Sequence, residues 1–331
     1  MLAQITKSER NSATVLTRAP QEKELRVLIP YDGSETAEAT LTALSRAGLP
    51  SQLDALVAVT QVWLPLSPYE ITKAVNDRRL KLLSSGLSSH VPALLDHEEQ
   101  RVLSLEAQRK LRSMFPVGRV KTEAIDDTAA LAQAILLKAK RWDADLIIIG
   151  SQMSPSSQIT DYVGPALRIA EEADCSVRIA RPCDRKVDSS IQIIVCVDER
   201  SSSDKVIDAV CKRIWPTGTI ANIVMTRKPG PRHVTRDAEA AEVLDAWADR
   251  LRATGLEVSI ATEDGRPEVL LQKSQQSWVD CVFVDPHHGQ DDGLDESRLS
   301  EVARAVILGA KCSVEVIRAK SSNDQYLEPA A

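Results

Sequence analysis

Two places in the chain set glycine and a polar side chain directly after an apolar run. Asp32-Gly33-Ser34-Glu35 follows Leu25-Arg26-Val27-Leu28-Ile29-Pro30-Tyr31. Gly150-Ser151 follows Asp145-Leu146-Ile147-Ile148-Ile149, with Gly164 further on. A carboxylate such as Asp32 can accept hydrogen bonds from an adenine amino group or a ribose hydroxyl. A glycine turn that opens onto a helix N-terminus can present backbone N–H groups to phosphates. Each residue also has a structural use. Asp32 can close a turn, Ser34 can cap a helix, and Gly150 can simply turn the chain.

The other chemistry-bearing residues point to less. Asp285-Pro286-His287-His288-Gly289-Gln290-Asp291-Asp292 holds two adjacent histidines. In an extended segment such neighbours face opposite sides and rarely share one ion, so a solvated, exposed loop is expected and no metal site. His90, His97 and His233 are scattered in polar contexts. Ser151 and the Ser154 to Ser157 loop lack a Gly-x-Ser-x-Gly elbow. The cysteines Cys175, Cys183, Cys196, Cys211, Cys281 and Cys312 form no C-x-x-C pair. They read as reduced thiols, with Cys196 and Cys281 inside apolar strands and without a basic neighbour. No catalytic residue is assigned.

Apolar runs with little alternation, separated by amphipathic stretches, must position these residues. Strands are expected at Leu25–Tyr31, Leu53–Val62, Val117–Ala124, Leu146–Gly150 and Ser176–Ala180, with helices between them. One helix runs from Ser34 to about Ala47, and another from about Leu94 to Phe115. Strands with so little alternation argue for a parallel sheet covered on both faces. The order then repeats from Ile191. A helix is expected from the Ser201-Ser202-Ser203 run to about Trp215. Asp145 and Asp280 precede equivalent strands and lie 135 residues apart, as do Gly150 and Asp285. Cys175 and Cys312 lie 137 apart, and the first-strand residues Asp32 and Asp198 lie 166 apart. Two copies of one α/β unit account for these offsets, with an insertion near 64–92 in the first copy. The expected organisation is a loose segment 1–24, a first unit 25–185, a second unit 190–319 and a tail 320–331.

The chain has 331 residues, about two domains' worth. It carries 41 Lys and Arg against 47 Asp and Glu, a net charge of −6. That balance argues against a nucleic-acid binder. Small basic runs such as Lys138-Ala139-Lys140-Arg141 read as solvated helix faces. No apolar run reaches the length of a membrane span, and the N-terminus shows no secretory signal. A cytoplasmic protein with neither nucleic acid nor membrane as partner is expected.

The motifs taken in order resemble the universal stress protein family. Val27 to Glu35 is similar to that family's opening strand and turn. Asp143 to Ser151 is similar to its fourth strand, and Ala173 to Arg181 to its closing strand. The second copy shows the same outline in Val197-Asp198, Gly255 to Ile260 with Pro267, and Lys311 to Arg318. The resemblance covers about 25–182 and 190–318. It implies two tandem, doubly wound, five-stranded parallel-sheet units of the adenine-nucleotide-hydrolase-like type, and a non-enzymatic stress-response or regulatory protein. Family members that bind ATP show Gly-x-x-Gly, nine residues, then Gly-Ser or Gly-Thr. Here Gly150 matches the first glycine, Met153 replaces the second, and Val163-Gly164 stands at the final pair. In the second copy Asp285, His288 and Ser300-Glu301 occupy those positions, and its acids would repel phosphate.

Two readings follow. In one, the first copy senses ATP or AMP, with no metal beyond a nucleotide-bound Mg, through Asp32, Gly33, Ser34, Gly150, Ser151 and Gly164, and the second copy is degenerate. In the other, both pockets are vestigial and the chain is an interaction scaffold for a protein partner. An adenine-nucleotide-dependent hydrolase or ligase is the lesser alternative, because Ser-Gly-Gly-x-Asp-Ser and His-x-Gly-His are absent. The resemblance also implies pairing through the last strands. A tandem chain could make that pairing internally, between 176–180 and 313–317, and further homodimerisation stays open.

Overall fold

The computed structural model describes residues 24–60, 92–125, 131–151, 164–182, 185, 188–198, 203–227, 234–264, 267–287 and 299–319. The expected N-terminal segment, most of the 64–92 insertion, Met153 with the loop around it, Val163, Cys183, His288 and the C-terminal tail lie outside the described residues.

The first half runs β1 (Leu25–Tyr31), α1 (Glu35–Leu44), β2 (Leu53–Thr60), α2 (Pro92–Met114), β3 (Arg119–Ile125), α3 (Leu131–Trp142), β4 (Leu146–Gly150), α4 (Pro165–Glu172) and β5 (Ser176–Ala180). The second half runs β6 (Gln192–Val197), α5 (Ser203–Cys211), β7 (Ile220–Arg227), α6 (Val234–Ala253), β8 (Glu257–Asp264), α7 (Pro267–Ser274), β9 (Cys281–Val284), α8 (Glu301–Gly309) and β10 (Ser313–Val316). All ten strands join one sheet in the order β3-β2-β1-β4-β5-β10-β9-β6-β7-β8. Read outward from the middle, both halves have the same strand order. Neighbours within each half pair in parallel. The two halves meet where β5 and β10 pair antiparallel. That junction gives each last strand a partner, so neither is left as an open edge.

The inner strands are buried on both faces because helices cover both, while the outer strands β3 and β8 stay partly exposed. On one face a single apolar core runs across the junction. It takes Val177 and Ile179 of β5, Val314 and Val316 of β10, Leu167, Ile169 and Ala170 of α4, and Val306 and Ile307 of α8. On the other face there are two cores. One packs β1 and β2 against α1 and α2 through Ile29, Leu41 and Leu111, and the other packs β6 and β7 against α5 and α6 through Val195, Val206 and Trp247.

The gap between those two cores is closed by specific contacts. Asp280 accepts from Arg46 Nε at 2.7 Å, Arg46 Nη2 at 3.0 Å, Arg185 Nη1 at 2.6 Å and the Gln192 amide at 2.7 Å. Arg46 also donates to the Ser189 carbonyl at 3.1 Å, so the linker is held by both halves. Beside this, the Ile214 amide donates to the Gly48 carbonyl at 2.8 Å, and the Trp215 ring lies over Gly48. Gly48 has φ +62°, and a Cβ there would come within 2.8 Å of that ring. This explains a difference from the sequence expectation. The α5 helix stops at Cys211 rather than Trp215, because Trp215 is needed outside the helix, edge-on to Phe283 at 6.1 Å between ring centroids. Among the described residues no helix is long and apolar enough to cross a membrane.

Candidate functional site

In each half the strand order reverses between the first and fourth strands, and ligand sites in such sheets lie beyond the C-terminal strand ends at that point. In the first half these are the ends of β1 and β4, which pair in parallel with Val27 opposite Leu146. Asp32, Gly33 and Ser34 therefore stand at one tip, and Gly150 and Ser151 at the adjacent one. Gly164 begins α4, the helix that follows β4.

The β1 tip is tightly built. Asp32 Oδ1 accepts from the Ser34 amide at 3.0 Å, and Ser34 Oγ accepts from the Ala37 amide at 3.2 Å as the N-cap of α1. Gly33 sits at φ +72°, a conformation that glycine adopts at no steric cost. Leu103 of α2 packs against it where a side chain would be. Just before the turn, the Tyr31 hydroxyl donates to Glu38, and Glu38 also pairs with Lys110 of α2. Burial and then the Glu38 carboxylate push the Tyr31 phenol above its ordinary range. Burial alone would raise Glu38, but the Lys110 ammonium and the Tyr31 hydroxyl outweigh it and hold the carboxyl below its ordinary value. This network fastens α1 to α2 beside the tip.

The β4 tip depends on glycine for a packing reason. A Cβ on Gly150 would lie 2.5 Å from the Thr36 carbonyl and 2.5 Å from Thr40 Oγ1. Helix α1 thus crosses directly over Gly150. The Ser151 amide donates to the Ala180 carbonyl at 3.0 Å and so belongs to the ladder with β5. Gly164 is different. It caps α4 with backbone alone, no side chain bonds the helix end, and the first turn holds no acidic residue. Among the described residues, a Cβ at Gly164 would meet nothing within 4 Å.

The second half answers at each position with its own side chains. Asp198 and Ser203 bond one another, with Ser203 Oγ donating to Asp198 Oδ1 at 3.1 Å and accepting from the Asp198 amide at 2.9 Å. Asp285 stands where Gly150 does, and its Oδ1 accepts from the His287 amide at 2.8 Å. Here the structure corrects the expectation of an exposed loop, since Asp285 and Pro286 are buried and His287 is half-buried. Ser300 caps α8, accepting from the Ala303 amide at 3.1 Å, and Glu301 adds a carboxylate in the first turn. Among the described residues no group of His, Cys, Asp and Glu is placed to hold a metal ion.

The sequence reading missed Thr36, Thr40 and Leu103. The threonines carry a usable signal, since their spacing of four puts both on one face of α1. Leu103 reads locally as part of its helix's apolar face, but nothing local points to its contact with Gly33, which joins residues seventy apart in the chain. The thiols also need one correction. Cys281 has a basic neighbour, Arg178, but burial outweighs it and raises the thiol. Burial likewise raises Cys196, and pushes Cys312 up to about 12. These thiols are inert core groups. A groove of about 480 Å³ runs along α2, and one of about 330 Å³ is lined by residues of β8 and α7. Neither includes a residue named above at the tips of β1 and β4.

No family model matches the sequence, and no curated protein matches it by sequence. Solved structures do match. A universal stress protein from Archaeoglobus fulgidus DSM 4304 is similar over 90% of this chain and 97% of its own, at 17% identity and a TM-score of 0.56. The chain has the universal stress protein fold. A putative universal stress protein from Pseudomonas aeruginosa UCBPP-PA14 is similar over 89% of this chain and 93% of its own, with 13% identity and a TM-score of 0.52. The cytoplasmic domain of a prokaryotic cation chloride cotransporter shares the fold over 91% of this chain and 98% of its own, at 9% identity and a TM-score of 0.51. The universal stress protein fold therefore spans both halves of this chain. It also occurs in that transporter domain, so the site and not the fold must argue function.

Proposed function

We propose that this protein is a cytoplasmic, universal stress protein-like regulatory protein, without catalytic chemistry of its own, whose first half receives an adenine nucleotide and whose second half does not. The contrast between α4 and α8 carries the reading. The α4 N-terminus is capped by glycine backbone, its first turn holds no acidic residue, and no described residue crowds Gly164. Its helix dipole favours an anion there. The α8 N-terminus is already filled by Ser300 Oγ and guarded by Glu301. An ATP or AMP phosphate fits the first and is repelled at the second. The group at the other end of the ligand falls to Asp32, whose carboxylate keeps acceptor capacity beyond the bond from Ser34. A bound Mg would travel with the nucleotide phosphates.

The scaffold reading draws on a specific observation. Gly33 and Gly150 both have packing reasons to be glycine, against Leu103 and against Thr36 and Thr40. Native mass spectrometry of gently purified protein separates the readings. The expected result is a population carrying one ATP or AMP per chain. A bare chain that takes up neither on addition favours the scaffold, and conversion of added ATP to product would revive the enzyme.

A further inference from the structure

The β5·β10 register sets Arg178 opposite Glu315, Ile179 opposite Val314 and Val177 opposite Val316. Residues 137 apart hold equivalent places in the closing strands, as Cys175 and Cys312 do. By that offset Arg178 and Glu315 are each other's equivalents. Arg178 therefore stands opposite its own counterpart, and the local twofold axis passes between the two side chains.

The contacts around the axis obey it. The Arg181 amide donates to Ser313 Oγ at 3.3 Å, and the Arg318 amide donates to Ser176 Oγ at 3.1 Å. Arg181 Nη2 donates to the Ile307 carbonyl at the end of α8. Arg318 Nη2 donates to the Ala170 carbonyl at the end of α4 at 2.9 Å. Each of these pairs maps onto the other by the same offset. Each arginine places its charge at the C-terminal end of the other half's helix, where the dipole favours it. The residues on the axis are the ones that differ in charge. Arg178 Nη1 donates to Glu315 Oε2 at 3.0 Å, with side chains 1% and 0% exposed. Arg213 donates to the other oxygen of Glu315.

Identical edges that meet on a twofold axis must set one residue against itself. A β5 against a second β5 would bury Arg178 beside Arg178. A β10 against a second β10 would bury Glu315 beside Glu315. Like charges buried in contact are far more costly than a compensated pair. We propose that Arg178 and Glu315 are the specificity determinants of this joint, so that each closing strand accepts the other half's edge and refuses its own kind on a second copy of the chain. This holds whether or not the first half binds a nucleotide.

The test uses full-length chains carrying R178E or E315R, each prepared alone and then mixed in equal amounts. Alone, each puts like charges on the axis, and a fall in Tm of roughly 10 °C is expected. In the mixture every edge of one chain finds an opposite charge on the other. Light scattering should then show a two-chain assembly that neither forms alone. Wild-type melting of the separate variants, or a mixture that stays single-chain, overturns the proposal. If a variant is insoluble alone, the chain R178E/E315R/R213E reverses every sign and restores the pairing internally. Recovery of soluble single chain is then expected, and failure to recover overturns the proposal equally.

Discussion

Asp280→Ala is expected to cost about 3–5 kcal/mol of folding stability, read as a fall in Tm of roughly 10 °C. The side chain is 2% exposed and takes two guanidinium groups, Arg46 and Arg185, which are themselves only 12% and 16% exposed. Removing the carboxylate strands both charges and frees the Gln192 amide. The effect reaches beyond one half, because Arg46 follows α1, Arg185 lies in the linker and Asp280 precedes β9. Glu24→Ala is the control. Its ion pair with Arg119 is exposed on both sides, at 36% and 65%, and losing it should change stability by less than about 0.5 kcal/mol. An Asp280→Ala chain that melts within 2 °C of wild type would show that the joint between the halves does not rest on this cluster.

Gly164→Asp should separate stability from binding. Aspartate is a good N-cap, no described residue stands in its way, and a gain of a few tenths of a kcal/mol is expected. The same carboxylate would stand where the phosphate is proposed to lie. At an effective dielectric near 20 and a separation of several ångströms, the repulsion is about 2 kcal/mol. ATP affinity measured by calorimetry should fall roughly 10- to 100-fold while the melting temperature holds or rises. Unchanged affinity in this variant would place the phosphate elsewhere.

The fold was legible because buried parallel strands write themselves as apolar runs. The expected bounds of Leu25–Tyr31 and Ser176–Ala180 coincide with β1 and β5. Their repetition at near-constant offsets announced two copies of one unit. What local pattern could not reveal came from contacts distant in sequence. Trp215 looked like the end of a helix, yet its place is set by Gly48, far upstream. Gly150 read as a turn glycine or a phosphate contact, and the crossing of α1 above it, which itself demands glycine, was not visible locally. Asp285 read as part of an exposed loop and is buried. The charge code on the twofold axis did leave a trace in Arg178 and Glu315, single charges inside apolar closing strands at equivalent positions. Its meaning emerges only when the register of β5 on β10 sets the two residues face to face.

The asymmetry of the two halves is the centre of the functional account, and counting nucleotides tests it most directly. Isothermal titration of the nucleotide-free full-length chain with ATP should give a single class of site at one ATP per chain. Two sites per chain, or no heat of binding at concentrations up to the millimolar range, would contradict the claim that the first half receives a nucleotide and the second does not.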